Sequence, residues 1–453
     1  MDKFDKLPIG VLNWVIISMS KITIKSILED KFEEFWEKLS YRLPKDMREH
    51  IFNVVQKSLH CGDISKGYAE YMCMECGESV KVGFTCKSKF CVKCGRLYTL
   101  KWVDKQQENM LNVAHRHSVF TIPEELRNYF FKNRDMLKDL MDGVYQVIDY
   151  WYKTHKGKSY EVGVITVIHT FGRDLKWNPH VHALVTEGAI NNKYKWWKPV
   201  EYVPYEYLRK SWQKTLLDII KKYFKDWKTK KLISVLYRKY KDGFYVNADR
   251  AITDMRKATK YIGRYLARAA IAEYRIESYD GESVTFWYED HDSGEHIKVT
   301  LDVLTFIGKL VQQIHKKGFK CVRRYGLYSR KKNALAKEII HLYRFVKQLK
   351  ISDILNRKNK QEKKSWKQRI IETFNRNPLE CRKCKREMEL WKIWHDDYGL
   401  IYDIRESNYK EVKSDGSNRR ILLRTKSNRE RTYVQISMPQ VRLRRMGTSI
   451  CGR

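Results

Sequence analysis

Proline is scarce, 8 residues in 453, and no segment is a low-complexity repeat, which excludes the Pro-rich and compositionally disordered classes. Long apolar runs are missing too. Near the start the longest is Val11 to Ile17, far short of the roughly 20 residues that a bilayer span needs, and it lacks the flanks of a secretory signal. Ten cysteines are too few for a disulfide scaffold in a chain of this length, and five of them crowd between Cys73 and Cys94, which reads as metal ligation in a reducing compartment. Acidic groups are in short supply: 54 Asp and Glu face 90 Lys and Arg, a formal net charge of +36 with a pI near 9.7. Such an excess repels itself unless it meets a polyanion, and inside a cell that is nucleic acid. A generally basic protein with no such partner is the plainer alternative.

What is present suits a folded chain of two or three domains. Hydrophobic residues make up 43% and aromatics 13%, enough for at least one sizeable core. Phe32, Phe35, Trp36 and Leu39 recur at helical spacing, so residues 22–60 are expected to be helical. Between Cys61 and Gly95 the texture turns to Cys, Gly and short β-type pieces such as Ser79 to Phe84. Ser118 to Pro123 reads as a strand. The β-branched run Val162 to His169 and the run His180 to Val185, separated by a polar turn from Gly172 to Asn178, read as a hairpin. Residues 203–240 return to a helical pattern, Gly243 to Asn247 is a strand candidate, and a helix is expected from near Asp254 through Tyr265. Residues 331–370 are basic and expected to be helical. The basic tail beyond Arg405 reads equally as an arm on DNA or as a disordered end. The fold class expected is α+β, with the sheet in the middle third and helices around it.

Cys73-Met74-Glu75-Cys76 and Cys91-Val92-Lys93-Cys94 form a CxxC pair with fourteen residues between them. Each CxxC can turn two thiolates onto one ion, so Cys73, Cys76, Cys91 and Cys94 are the expected ligands of a structural Zn²⁺. Cys61 and Cys86 lie inside or beside this module and could add ligands, replace one of the four, or simply pack. Nearby Lys87 and Lys89, with Lys81, Lys93 and Arg96, make the module basic, consistent with a face toward DNA. The last CxxC, Cys381 and Cys384, could be completed only by His395, Cys321 or Cys451, and reads as a relic knuckle or free thiols.

In Asn178-Pro179-His180-Val181-His182, strand alternation sends both imidazoles to one face. Surface strands often carry such a pair. Its weight comes from Tyr261-Ile262-Gly263-Arg264-Tyr265, where i and i+4 place two phenols on one helix face. Two histidines for a divalent ion, two presentable phenols and a large positive charge together point to phosphodiester chemistry. Arg264 and Arg268 on the same helix could contact phosphates or form an ordinary solvated face. Tyr194, Trp196 and Trp197 could stack on unpaired bases, although core packing is the commoner use of such residues.

These segments, with Ile168-His169-Thr170-Phe171-Gly172 and Lys317 to Leu327, resemble the IS91-type HUH transposases, and the cysteine module resembles the zinc-binding domain that precedes the nuclease there. The family pattern usually has proline where Lys317 stands. The resemblance covers roughly residues 25–400. It implies a five-stranded antiparallel HUH-nuclease sheet with the HUH strand central and a zinc-ribbon-like module ahead of it. It also implies His180 and His182 as ligands of a catalytic Mg²⁺ or Mn²⁺, with His169 favoured as the third ligand over an unrecognised Asp, Glu or Gln. Tyr261 and Tyr265 become the nucleophiles, Tyr261 preferred, and the implied partner is DNA, as single-stranded or hairpin element ends cut through a 5′-phosphotyrosine in a rolling-circle-like cycle. The domains expected are 22–110 (helical and zinc-binding), 111–330 (nuclease) and 331–453 (basic C-terminal region). The location expected is the cytoplasm of a prokaryote, at the nucleoid. The alternatives are an HUH replication initiator or relaxase, and a non-catalytic zinc-ribbon DNA-binding protein.

Overall fold

The structure is a computed structural model, and it describes residues 22–200, 203–263, 269–290, 293–347, 367–368, 370–371 and 377–405. The strands are, in chain order, β1 (Gly67–Met72), β2 (Ser79–Gly83), β3 (His115–Phe120), β4 (Tyr160–Phe171), β5 (Trp177–Asn191) and β6 (Trp196–Pro199). They continue with β7 (Val246–Ile252), β8 (Ile276–Tyr279), β9 (Ser283–Glu289), β10 (His296–Asp302), β11 (Val322–Gly326), β12 (Glu389–His395) and β13 (Gly399–Asp403). The helices are α1 (Ile24–Leu39), α2 (Arg48–Leu59), α3 (Val92–Gln107), α4 (Glu124–Lys132), α5 (Met136–His155), α6 (Tyr205–Tyr223), α7 (Trp227–Lys239), α8 (Met255–Gly263), α9 (Val303–Val311) and α10 (Asn333–Lys347). The class is α+β with antiparallel sheets flanked by helices. Among the described residues no helix is long and apolar enough to cross a membrane.

Two compact units divide the described residues, one built from 60–86 and 377–405, the other from those within 20–59 and 87–354. The larger unit is built on one sheet, in the order β11-β4-β5-β3-β7, with β6 paired to the far end of β5. Every pairing along that path is antiparallel, and β5 lies at its centre. Alternation gives the sheet two apolar faces. Val164, Ile168, Val181, Ala183 and Val185 point into a core shared with α5 and α6. Ile165, Val167 and Leu184 point the other way, into a second core with Ala258 and Ile262 of α8 and Ile339 and Ile340 of α10. A third core joins α1 and α9 to the three-stranded sheet β10-β9-β8. In the smaller unit, β13-β12-β1-β2 form a four-stranded sheet over a compact core of Ala69, Tyr71, Leu390, Ile393 and four cysteines.

The expected helices over 22–60 and 203–240 appear as α1 with α2 and α6 with α7. The expected strand at Gly243 begins later, at Val246. Gly243 has φ +87° and sits against the Arg209 carbonyl, where an added Cβ would come within 2.4 Å of the oxygen, so this glycine makes the turn that precedes the strand. Helix α8 starts where expected, with the Asp254 carboxylate accepting from Lys257 N at 3.0 Å. It is described as far as Gly263. Of the basic stretch 331–370, residues 333–347 form α10. Residues 11–17, most of 348–376, Cys451 and the tail beyond Arg405 lie outside the described residues.

Candidate functional site

The β4–β5 hairpin brings three histidines together. Its turn is closed by Gly172 N donating to Lys176 O at 2.9 Å, and Leu175, fully buried at φ +63°, anchors the tip. That closure sets His169 directly opposite His180 and Val167 opposite His182, so all three imidazoles share a face. Their ring centroids lie 5.4 Å (His169–His180), 4.8 Å (His169–His182) and 4.9 Å (His180–His182) apart, and their ligand nitrogens all fall within 4.8 Å of one another. No carboxylate joins the group among the described residues.

Supporting hydrogen bonds set the ring orientations. His180 Nδ1 lies 2.8 Å from the Asn178 carbonyl oxygen, which can only accept, so Nδ1 carries the proton and Nε2 keeps its lone pair. Burial lowers the His180 pKa, opposed by the Asn178 carbonyl, and this favours the neutral, ligating form. His182 Nδ1 lies 3.0 Å from Nε2 of His117 on β3. His117 pairs across the sheet with Leu184, which puts it on the histidine face. Sequence reasoning missed His117, although His115-Arg116-His117 repeats the i, i+2 spacing of the pair on β5. His115 is fully buried, hydrogen-bonded to the Tyr328 hydroxyl, and burial lowers its pKa to about 4.

Helix α8 packs against α3 and against β5 and β7, and its buried Ala258 and Ile262 lie on the sheet face that carries the histidines. The sequence permits this close packing through Gly263, where an added Cβ would come 2.2 Å from Val103 Cγ2. Tyr261 belongs to this helix. Tyr265, Arg264 and Arg268 lie outside the described residues. The expected DNA contact Lys87 is exposed, at φ +54°. Lys89 is turned inward, its Nζ 4.7 Å from the Tyr98 ring centroid and 3.8 Å from Cys321 Sγ. Trp197 is buried in the core, whereas Tyr194 and Trp196 are exposed.

The cysteines are paired differently from the expectation. Cys73 and Cys76 are grouped with Cys381 and Cys384, their four sulfurs within 4.8 Å of one another, and not with Cys91 and Cys94. The two CxxC pairs nearest in sequence therefore do not share a site. The reason is strand pairing: β1, which ends at Met72, pairs with β12, which starts at Glu389, and this draws the two flanking knuckles together.

The class of protein to which this cysteine-rich module and histidine-bearing sheet belong, a transposase acting on DNA, comes from comparison with known proteins. Residues 163–335 match the family model described as "Putative transposase", and residues 27–122 match "Transposase zinc-binding domain". The first span contains all three clustered histidines and α8; the second contains Cys61 through Cys94. The chain is 27% identical over 300 residues to the transposase for insertion sequence element IS801 of Pseudomonas savastanoi pv. phaseolicola, covering 62% of this chain and 70% of that protein. It is 24% identical over 339 residues to "Putative transposase y4qJ" of Sinorhizobium fredii (strain NBRC 101917 / NGR234), covering 69% and 81%. No solved structure matches. Together these matches support an IS91-type transposase with an N-terminal zinc-binding domain, and the cysteine clusters support structural zinc.

Proposed function

We propose that this transposase nicks and rejoins single-stranded DNA at insertion-element ends as a metal-dependent tyrosine endonuclease. One observation carries the reading: His169, His180 and His182 cluster on the sheet face against which the helix of Tyr261 packs. Three imidazoles held by a hairpin and by His117 fit a divalent cation and leave its other positions to oxygen ligands. A bound Mn²⁺ or Mg²⁺ would polarise the scissile phosphate. The Tyr261 phenolic oxygen then attacks phosphorus. Its Oη–P bond replaces the P–O3′ bond, the DNA 5′ end stays on the protein, and the phenolic proton ends on the departing 3′ oxygen. Tyr265, four residues further in sequence, is the proposed second nucleophile, which would let one tyrosine hold an end while the other cuts the next. Rejoining reverses the same bonds with a new 3′-hydroxyl. Such cycling is the rolling-circle-like exchange proposed for the element, and the net charge of +36 makes DNA association salt-sensitive.

The test is a cleavage assay on labelled single strands from the sequences flanking the gene, with Mg²⁺ or Mn²⁺ and denaturing gels. A metal-dependent covalent adduct, lost in His180→Ala and in Tyr261→Phe, is expected, and Tyr265→Phe reports the second role. Tight DNA binding with no adduct from any strand refutes the nuclease reading.

A further inference from the structure

We infer that Cys73, Cys76, Cys381 and Cys384 hold one structural Zn²⁺, a centre half of whose ligands lie far outside the zinc-binding domain matched at residues 27–122. It does not rest on the nuclease reading. Cys73 Sγ lies 3.3 Å from Cys384 Sγ and Cys76 Sγ lies 3.5 Å from Cys381 Sγ. These separations are far too long for disulfides, whose S–S bond is about 2.05 Å. They are close to the ~3.8 Å edge of a tetrahedron with metal–sulfur bonds of about 2.3 Å.

The two halves are built alike. In the first, Gly77 N donates to Cys73 O at 2.9 Å and Cys73 N donates to Glu78 O at 2.8 Å. In the second, Lys385 N donates to Cys381 O at 3.0 Å and Cys381 N donates to Arg386 O at 2.8 Å. Gly77 and Lys385 occupy the same place in their turns, and both have positive φ, +71° and +63°. A lysine there is costly unless the turn is needed. Two matched turns that bring four sulfurs together make a binding site for thiolates on one cation, which neutral thiols would not require.

The charges agree. Four thiolates around Zn²⁺ leave a net charge of −2, and Arg382, Lys383, Lys385 and Arg386 surround the second knuckle. Arg386 also meets Glu75 of the first at 2.5 Å. With no open coordination position the centre is structural. It joins residues about three hundred positions apart in sequence and clamps β12 and β13 onto β1 and β2.

The experiment is metal analysis of the purified full-length protein by mass spectrometry, without DNA. Cys73→Ser/Cys76→Ser and Cys381→Ser/Cys384→Ser should each lose one zinc per chain, and the quadruple variant should also lose just one. Full zinc retention by Cys381→Ser/Cys384→Ser, loss of two by the quadruple variant, or iron in place of zinc would overturn the inference. Should the serine variants fail to fold, Cys384→His decides. A Cys₃His set still holds the ion, so its Co²⁺-substituted form should stay one-to-one at this centre while thiolate-to-cobalt charge-transfer intensity falls. An unchanged spectrum overturns the assignment.

Discussion

Gly263→Ala probes whether α8 is held where the site needs it. The new Cβ would lie 2.2 Å from Val103 Cγ2, more than an ångström inside ordinary contact at 3.4–4 Å, and a branched valine on α3 cannot swing its methyl away as a long side chain could. Overpacking of this kind costs about 1–3 kcal/mol. Alanine recovers about 0.5–1 kcal/mol of helix propensity over glycine. The net expectation is destabilisation of about 1–2 kcal/mol, read from the midpoint of chemical unfolding at unchanged m-value. If the helix moves by an ångström instead of the valine, the proposed nucleophile moves with it, and misplacement on that scale costs on the order of 10²-fold in rate. Stability and adduct yield should therefore fall together. Val103→Ala removes the clashing methyl, so in the Gly263→Ala/Val103→Ala protein both should recover much of the loss. The reasoning fails if Gly263→Ala matches the parent, or if the Val103→Ala loss simply adds to it.

His117→Ala removes the partner of His182 without touching a proposed ligand, and should weaken Mn²⁺ binding about 10- to 100-fold, as measured by calorimetry; unchanged affinity would strip His117 of that role. Because imidazole suits first-row transition ions better than Mg²⁺, the adduct should form at lower Mn²⁺ than Mg²⁺ concentration, and the reverse order would speak against three histidine ligands. Acid stability follows from His115, whose pKa is lowered from 6.5 to about 4 by complete burial. Between those values the unfolded chain binds a proton that the native state does not, so stability falls as pH drops from about 6.5 toward 4, by about 3 kcal/mol at ~1.4 kcal/mol per unit. His115→Gln should flatten part of that fall in pH-dependent unfolding, and His315, lowered to about 3 by burial, carries a similar share; an identical pH profile for His115→Gln would refute the assignment.

Much of the histidine site was legible because its geometry is local. An HxH spacing on a strand, a β-branched strand before it and a polar turn between them define a hairpin, and the hairpin brings His169 opposite His180. His117 escaped notice because its role depends on β3 lying beside β5, a pairing between strands some sixty residues apart that no periodicity announces. Its own HxH spacing was a signal, but one that His115 shares, and His115 spends its ring nitrogen on Tyr328 in the core. Lys89 shows the same limit for charge. Its position in a basic stretch suggested solvent and phosphate, whereas the fold places its ammonium over Tyr98.

The cysteines separate what spacing can and cannot tell. A CxxC is a local device, and the turn at Cys73 and the turn at Cys381 each form from their own backbone hydrogen bonds. Which knuckle meets which is a matter of strand pairing, and the preference for near neighbours in sequence is weak because loop-closure entropy grows only logarithmically with loop length. A loop of about three hundred residues costs only about 3 kcal/mol more to close than one of about fourteen by the (3/2)RT ln n rule. The register Met72↔Glu389 through Gly67↔His395, with Ala69, Tyr71, Leu390 and Ile393 buried behind it, can offset a difference of that size at roughly 25 cal/mol per Å² of apolar burial. Sequence proximity was thus outweighed by a strand pair that the sequence does not declare, and the second CxxC, which reads alone as a relic, is half of a matched set.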